Sequence, residues 1–278
     1  MTRPVACVIG WPAKHSRSPV IHKFWLNQLG IDGDYVIHPV EPGGAEAFFA
    51  GFAQSGFVGC NVTVPHKESA FAAATRRDKA ASATGALNTL WLENGKLAGS
   101  NTDPAGFLAN LDEEAPGWDE KPGPAVVLGA GGAARGIVWA LITRGFAPIH
   151  VVNRTAERPA ALAAHFGGRV RPASWGEAPG LLAGARLLVN TTTLGMAGQP
   201  PLALDISRLP DDAVVNDIVY VPEKTWLLKA ARARKLRTAG GLGMLLHQAV
   251  PGFERWFGQR PVVSAELRAA VEKSIAEG

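Results

Sequence analysis

The chain has 278 residues, enough at roughly 150 residues per domain for two domains, each with its own core. Apolar residues make up 47% and charged residues 19%, and with 32 glycines and 20 prolines the chain falls below low-complexity levels, so a disordered or disulfide-stapled chain is excluded. The net charge of +4 favours small anionic ligands and is spread too thinly to demand nucleic acid.

In chain order, residues 5–9 read as a strand, 19–29 as a helix, 34–38 as a strand, 44–54 as a helix and 57–62 as a strand. Further helices follow, then a strand-like run over 86–92. Alternation of this kind argues an α/β fold with largely parallel strands. Cys7 and Cys60 lie inside apolar runs, which predicts buried thiols in a reducing compartment. Pro12, Lys14, His15 and Arg17 follow the first apolar run at once, and no stretch approaches the roughly 18 apolar residues of a membrane span, so a cytoplasmic protein is expected.

Residues 112–124 hold acidic residues and prolines with little periodicity, and read as a connection with a domain boundary near it. A second α/β unit follows: strand 125–128, helix 132–145, strand 149–152, helix 155–166, and strands 186–190 and 213–218. Lys229, Arg232, Arg234, Lys235 and Arg237 form the densest basic cluster. It falls at the end of an amphipathic stretch, where cations complement the helix dipole, so a solvated face is expected there and not a nucleic-acid patch. No His-Glu-x-x-His or Cys-x-x-Cys spacing occurs, and no metal is expected.

The sharpest local signal runs from Pro124 to Arg135, where a buried strand enters the turn Gly129-Ala130-Gly131-Gly132-Ala133 and then an apolar helix. Such a pattern alone marks any tight strand-to-helix turn. With both flanks in place it predicts a dinucleotide site, because small residues let the backbone approach a pyrophosphate at a helix N-terminus. A carboxylate for the ribose 2′-hydroxyl is expected about 20 residues on, but the chain offers Asn153-Arg154-Thr155, with Arg158 one helical turn away. Guanidinium groups take a 2′-phosphate and a carboxylate repels it, so NADP is the predicted cofactor.

Five polar segments end apolar runs: His15-Ser-Arg-Ser-Pro19, Asn61-Val-Thr-Val-Pro-His-Lys67, Gly85-Ala-Leu-Asn-Thr89, Asn101-Thr-Asp103 and Gly241-Leu-Gly-Met-Leu-Leu-His-Gln248. In order and spacing, from the Gly10–Pro19 block to the Gly252–Gly258 block, the chain resembles the shikimate dehydrogenase family. The blocks Asn190-Thr-Thr-Thr-Leu-Gly-Met196 and Asp217-Ile-Val-Tyr-Val-Pro222 belong to the same resemblance. It implies an N-terminal α/β substrate domain facing a Rossmann-type NADP-binding domain across a cleft, with C-terminal helices returning to the substrate side. On that pattern residues 1–104 and 241–278 form the substrate domain and 105–240 the NADP domain.

The implied reaction is reversible NADPH-dependent reduction of 3-dehydroshikimate to shikimate, in aromatic amino acid biosynthesis. The resemblance gives Ser16 and Ser18 the substrate carboxylate, although Ser18-Pro19 also reads as a helix N-cap followed by Pro. Thr63, Asn88 and Gln248 match positions that bond the substrate hydroxyls, and Tyr220 a further substrate contact. Ile218 and Gly241 match positions lining the nicotinamide. Lys67 and Asp103 match the acid–base pair, chemistry that suits a ketone reduction building negative charge on oxygen. Asp103-Pro104 reads locally as another N-cap, and Pro104 stands where the family pattern has Gly.

Two alternatives remain at this level: a quinate/shikimate dehydrogenase using NAD, and a catalytically silent NADP-binding regulatory protein on the same fold. The expected partners are the small-molecule substrate and cofactor, with no nucleic acid or membrane, in a monomer or homodimer.

Overall fold

The computed structural model describes residues 3–277. Two units emerge: one runs up to Thr102 and resumes at Leu246, and the other spans Asp103–Leu245.

The first unit opens with β1 (Val5–Ile9), α1 (Ser18–Gln28), β2 (Asp34–Ile37), α2 (Ala45–Ala50) and β3 (Phe57–Val62). It continues through α3 (Lys67–Ala73), β4 (Arg76–Arg77), α4 (Lys79–Thr84), β5 (Thr89–Glu93) and β6 (Lys96–Ser100). The sheet order is β2-β1-β3-β5-β6-β4. β1 pairs in parallel with β2 and β3, as the alternation predicts, but β5 runs antiparallel to both β3 and β6. Across both sheets the strands are largely parallel, as expected, and β6 turns back along β5 because Asn94 and Gly95, both at positive φ, close a two-residue hairpin that needs no crossover helix. β6 was not foreseen. Cys7 and Cys60 are register partners on β1 and β3, both buried and free.

In the second unit, α5 (Asp103–Glu114) leads into β7 (Ala125–Leu128), α6 (Gly132–Thr143), β8 (Ile149–Asn153), α7 (Glu157–Phe166) and β9 (Val170–Ser174). Then come α8 (Ala178–Leu181), β10 (Leu187–Asn190), β11 (Val214–Asp217), α9 (Trp226–Ala233) and β12 (Arg237–Ala239). α10 (Gly241–Phe257) starts in this unit and ends in the first, which α11 (Ala265–Ala276) completes. All strands of the second sheet pair in parallel, in the order β9-β8-β7-β10-β11-β12. Numbered from β7 this is 3-2-1-4-5-6, the doubly wound order of a Rossmann sheet. Its strands read as unbroken apolar runs because both faces are covered: Ala125 and Val127 pack into one core cluster, Val126 and Leu128 into the other.

The boundary differs from both expectations. Residues 112–114 belong to α5, not to a connection, because Phe107 and Leu111 on that helix are fully buried in the core of the second unit. The break therefore falls before Asp103, and residues 103–104 and 241–245 go with the second unit. In the basic cluster, Arg234 bonds the carbonyls of Ile206 and Leu209 and pairs with Asp211, and Arg237 bonds the carbonyl of Pro116. These cations staple loops as well as solvating a helix end.

Candidate active site

Of the predicted substrate residues, Ser16, Ser18, Thr63, Lys67, Asn88 and Gln248 lie in the first unit. Thr63 follows β3; its N–H bonds the Ile9 carbonyl at 2.9 Å and its carbonyl accepts His66 N–H at 3.0 Å, which turns the chain into α3. Lys67, half-buried, is the first residue of α3. Its carbonyl accepts Leu87 N–H at 3.0 Å, which sets the start of α3 beside the segment that carries Asn88.

Asn88 is the hub of a buried polar network. Its Oδ1 accepts from Thr102 N–H at 2.8 Å, Thr102 hydroxyl at 3.1 Å and Thr89 hydroxyl at 2.9 Å. Its Nδ2 faces Gln248 Oε1 at 3.4 Å, so the structure brings together two of the predicted hydroxyl-binding residues. Behind them, Tyr35 donates to Asn61 Oδ1 at 2.6 Å, and Asn61 Nδ2 donates to the Asn88 carbonyl at 3.1 Å. Tyr35, Asn61 and Thr102 were not predicted as site residues. Asn61 and Thr102 lie inside two of the polar segments that mark strand ends, a signal that could have named them; buried Tyr35 offers none.

Ser16 and Ser18 also meet, with Ser18 N–H directed at Ser16 Oγ at 3.3 Å. The N-cap of α1 is Arg17, which makes no side-chain cap, and Ser18 and Pro19 are the first helical residues. The expectation of Ser18 as cap is thus corrected by one position. The same holds for Asp103, the first residue of α5, with Pro104 following inside the helix. A carboxylate there complements the helix dipole. Lys67 belongs to the first unit and Asp103 to the second.

The second unit holds the predicted cofactor residues. β7 ends at Leu128, and the turn Gly129–Ala133 enters α6 where the strand order reverses between β7 and β10, the place where doubly wound sheets bind ligands. Gly129 has φ +100°, and a Cβ on it would lie 2.7 Å from Thr191 Oγ1, so only glycine fits. Gly131 and Gly132 face open space. At the end of β8, Asn153 Nδ2 bonds the Thr155 carbonyl at 2.9 Å. Arg154 and Arg158 are exposed, and neither joins an ion pair among the described residues.

Ile218 follows β11, its N–H on the Asn190 carbonyl at 3.1 Å. A Cβ on Gly241 would overlap the Ile218 carbonyl, which brings these two predicted residues together. Tyr220 lies two residues further on, half-buried. The open glycine turn and the unpaired guanidinium groups at the second strand fit a phosphorylated dinucleotide, and no carboxylate stands in the Asn153-Arg154-Thr155 turn to oppose it. Among the described residues there is no cluster of His, Cys, Asp or Glu suited to a metal ion, and no helix long and apolar enough to cross a membrane.

A Rossmann sheet with its glycine turn at the switch point, joined to an α/β unit whose strand ends converge on amides and hydroxyls, defines the class as a two-unit α/β protein of the dinucleotide-binding kind. A family model for the shikimate dehydrogenase substrate binding domain matches residues 8–90. One for shikimate / quinate 5-dehydrogenase matches residues 118–194, and one for the shikimate 5'-dehydrogenase C-terminal domain matches residues 241–265.

The chain is 58% identical over 269 residues to a shikimate dehydrogenase (NADP(+)) of Azorhizobium caulinodans, covering 97% of this chain and 96% of that one. Identity to a protein of the same name from Rhodopseudomonas palustris is 57% over 275 residues, covering 99% and 98%. The crystal structure of shikimate 5-dehydrogenase from Thermus thermophilus in complex with NADP(H) and shikimate matches with a TM-score of 0.84 at 34% identity, over 99% of both chains. Quinate dehydrogenase from Corynebacterium glutamicum in complex with NAD matches with a TM-score of 0.88 at 30% identity, over 96% of this chain and 98% of that one. The chain belongs to the shikimate dehydrogenase family.

Proposed function

We propose that this chain is an NADP-dependent shikimate dehydrogenase, an enzyme that reversibly reduces 3-dehydroshikimate to shikimate in aromatic amino acid biosynthesis. What carries the reading is that kinship spans both units at once, at 58% identity over 97% of the chain with a relative of that name. The Arg154-containing turn adds the preference for the 2′-phosphate.

NADP, when bound, supplies or takes the hydride. The amides of the Gly129–Ala133 turn and the positive end of α6 hold its pyrophosphate, Asn153, Arg154, Thr155 and Arg158 hold its adenosine phosphate end, and Ile218 and Gly241 line the nicotinamide. Ser16 and Ser18 bind the substrate carboxylate. Asn88, Thr63 and Gln248 bond its hydroxyl groups and reject analogues that lack them, because a missing hydroxyl leaves buried amides unpaired, and Tyr220 is a further substrate contact. The Lys67 ammonium stabilises negative charge growing on the carbonyl oxygen and passes it a proton; in the reverse direction it takes that proton back. Asp103 is its partner in the acid–base pair.

All these residues come from one chain, which is read as a monomer or homodimer. Its compartment is the cytoplasm, where the buried thiols of Cys7 and Cys60 stay free. The test is a spectrophotometric assay of nicotinamide reduction in four combinations: shikimate or quinate, with NADP or NAD. Turnover confined to shikimate with NADP supports the reading. Preference for quinate with NAD replaces it by the quinate-type enzyme, and NADP binding without turnover by a silent binder.

A further inference from the structure

Asp217 is completely buried at the end of β11, in register with Asn190 at the end of β10. Three donors converge on it. Asn190 Nδ2 at 2.9 Å and Val219 N–H at 3.1 Å reach Oδ1, and the Thr225 hydroxyl reaches Oδ2 at 2.7 Å. The Thr225 oxygen itself accepts Leu228 N–H at 3.3 Å, so its proton is free to go to Asp217. Burial pushes the carboxyl above its usual range, and the bonds from Thr225, Val219 and Asn190 oppose the shift. Burying a carboxylate is costly even when it is well bonded, and the acid–base step described above makes no use of this one. Its role lies in what it orients.

An ionised carboxylate only accepts, so the Asn190 amide turns its nitrogen to Asp217 and its oxygen away. That oxygen accepts Thr192 N–H at 3.0 Å and Thr192 hydroxyl at 2.7 Å. Asn190 Nδ2 also reaches the Leu194 carbonyl at 3.2 Å, and Leu194 N–H bonds Thr192 Oγ1 at 3.1 Å. Thr191, between them, directs its N–H and its hydroxyl at the Leu128 carbonyl, at 2.8 and 2.6 Å. The next residue, Gly129, leaves no room for a Cβ against Thr191. The relay from Asp217 thus runs through one amide into the segment that abuts the glycine turn.

We propose that Asp217 is a positioning residue for the dinucleotide: by fixing the orientation of the Asn190 amide it holds residues 191–194 as a wall of the Gly129–Ala133 cradle. The inference rests on the reading of that turn as the NADP site. Asp217→Asn replaces the acceptor with an amide that can donate back, and Asn190→Ala cuts the relay while leaving Asp217 its bonds to Thr225 and Val219. Phe146→Leu, at a core position stacked on Trp118 in the same unit, is the control for destabilisation alone.

The experiment is calorimetric titration of the full chain with NADP alone, followed by steady-state kinetics. Asp217→Asn and Asn190→Ala should each weaken NADP binding about tenfold or more, the scale on which lost support of a binding group is felt. The double variant should be no weaker than the poorer single one, because both cut the same relay. KM for shikimate should stay within about twofold, and Phe146→Leu should lower Tm without weakening NADP binding. If Asp217→Asn does not fold, Asn190→Ala decides alone. NADP affinity unchanged in the variants that fold would overturn the inference and leave the cofactor reading standing. A wild-type chain that does not bind NADP would overturn both.

Discussion

Thr102 makes two hydrogen bonds to one atom: its N–H at 2.8 Å and its hydroxyl at 3.1 Å both end on Asn88 Oδ1. With the Thr89 hydroxyl also there, that oxygen has donors enough, and the amide is fixed with its nitrogen toward Gln248. Thr102→Val keeps the shape and the N–H bond but removes the hydroxyl. The expected outcome is a rise in KM for shikimate of about fivefold to tenfold, the equivalent of ~1 kcal/mol for one buried hydrogen bond, with KM for NADP unchanged. Initial rates with each substrate varied in turn check this, and equal rises in both KM values would place the effect in the fold.

Arg154 is exposed at the end of β8 and joins no ion pair among the described residues. Arg154→Ala should raise KM for NADP by about 10-fold to 100-fold, as expected for loss of charge-assisted hydrogen bonds worth ~1.5–3 kcal/mol, while KM for NAD hardly moves. Added salt should narrow the gap between wild type and variant, since an exposed charge is screened. Equal losses for the two cofactors would remove Arg154 from the phosphate site.

At the start of α1 no side-chain cap exists to be lost. The double variant Ser16→Ala, Ser18→Ala should therefore cost less stability than the ~1 kcal/mol of a lost cap, yet raise KM for shikimate by about tenfold or more through the lost carboxylate bonds. Thermal unfolding and shikimate kinetics on the same preparation separate the two effects. An early melt with unchanged KM would assign the serines to the helix start alone.

These cases show what kind of information a strand end carries. The β7–Gly129–α6 passage was legible because strand, turn and helix each leave a local mark, and the absence of an acidic residue at 153–155 could be read directly. The Asn94-Gly95 hairpin was equally local, since an Asn-Gly pair between two apolar runs marks a tight turn into a further strand, here β6. β12 is a short edge strand, Arg237–Ala239, too brief for any period to show. The start of the second unit was misplaced because α5 is acidic at its C-terminal end and buries only one face. The Asn88 network was half visible: its members stand in polar segments, but which amide faces which hydroxyl depends on β3, β5 and α10 coming together. Asp217 was visible only as part of a motif, since its burial depends on pairing with β10.

His22 is fully buried, stacked on Tyr35 with ring centroids 4.0 Å apart and close to Phe253 and Trp256. Burial pulls its pKa from 6.5 down to about 3, against a smaller opposing pull from Asn61. Below pH 6.5 the unfolded chain binds a proton that the folded chain refuses, so the unfolded state gains. Stability should fall by about 1.4 kcal/mol per pH unit from this one group as pH drops from 6.5 toward 3. Above 6.5 the group contributes no slope. Urea unfolding across this range should give a shallower acid loss for His22→Phe than for wild type; parallel curves would show that His22 titrates freely in the folded state.

Lys67 is the first residue of α3 and Asp103 the first residue of α5. Reduction of a ketone moves negative charge onto oxygen, and one ammonium beside it lowers that barrier and supplies the proton, a contribution of about 10²–10⁴-fold in rate. Lys67→Ala should therefore lower kcat on that scale with modest change in either KM, the signature of an interaction made chiefly in the transition state. Asp103→Asn keeps the shape of the side chain and removes its charge, and it too should lose rate. The double variant should lose far less than the product of the two single losses, because residues that act as a unit are not additive. Lys67→Ala with a near-normal kcat would refute the acid–base role and leave Lys67 as a helix-start lysine, whatever the affinity for NADP turned out to be.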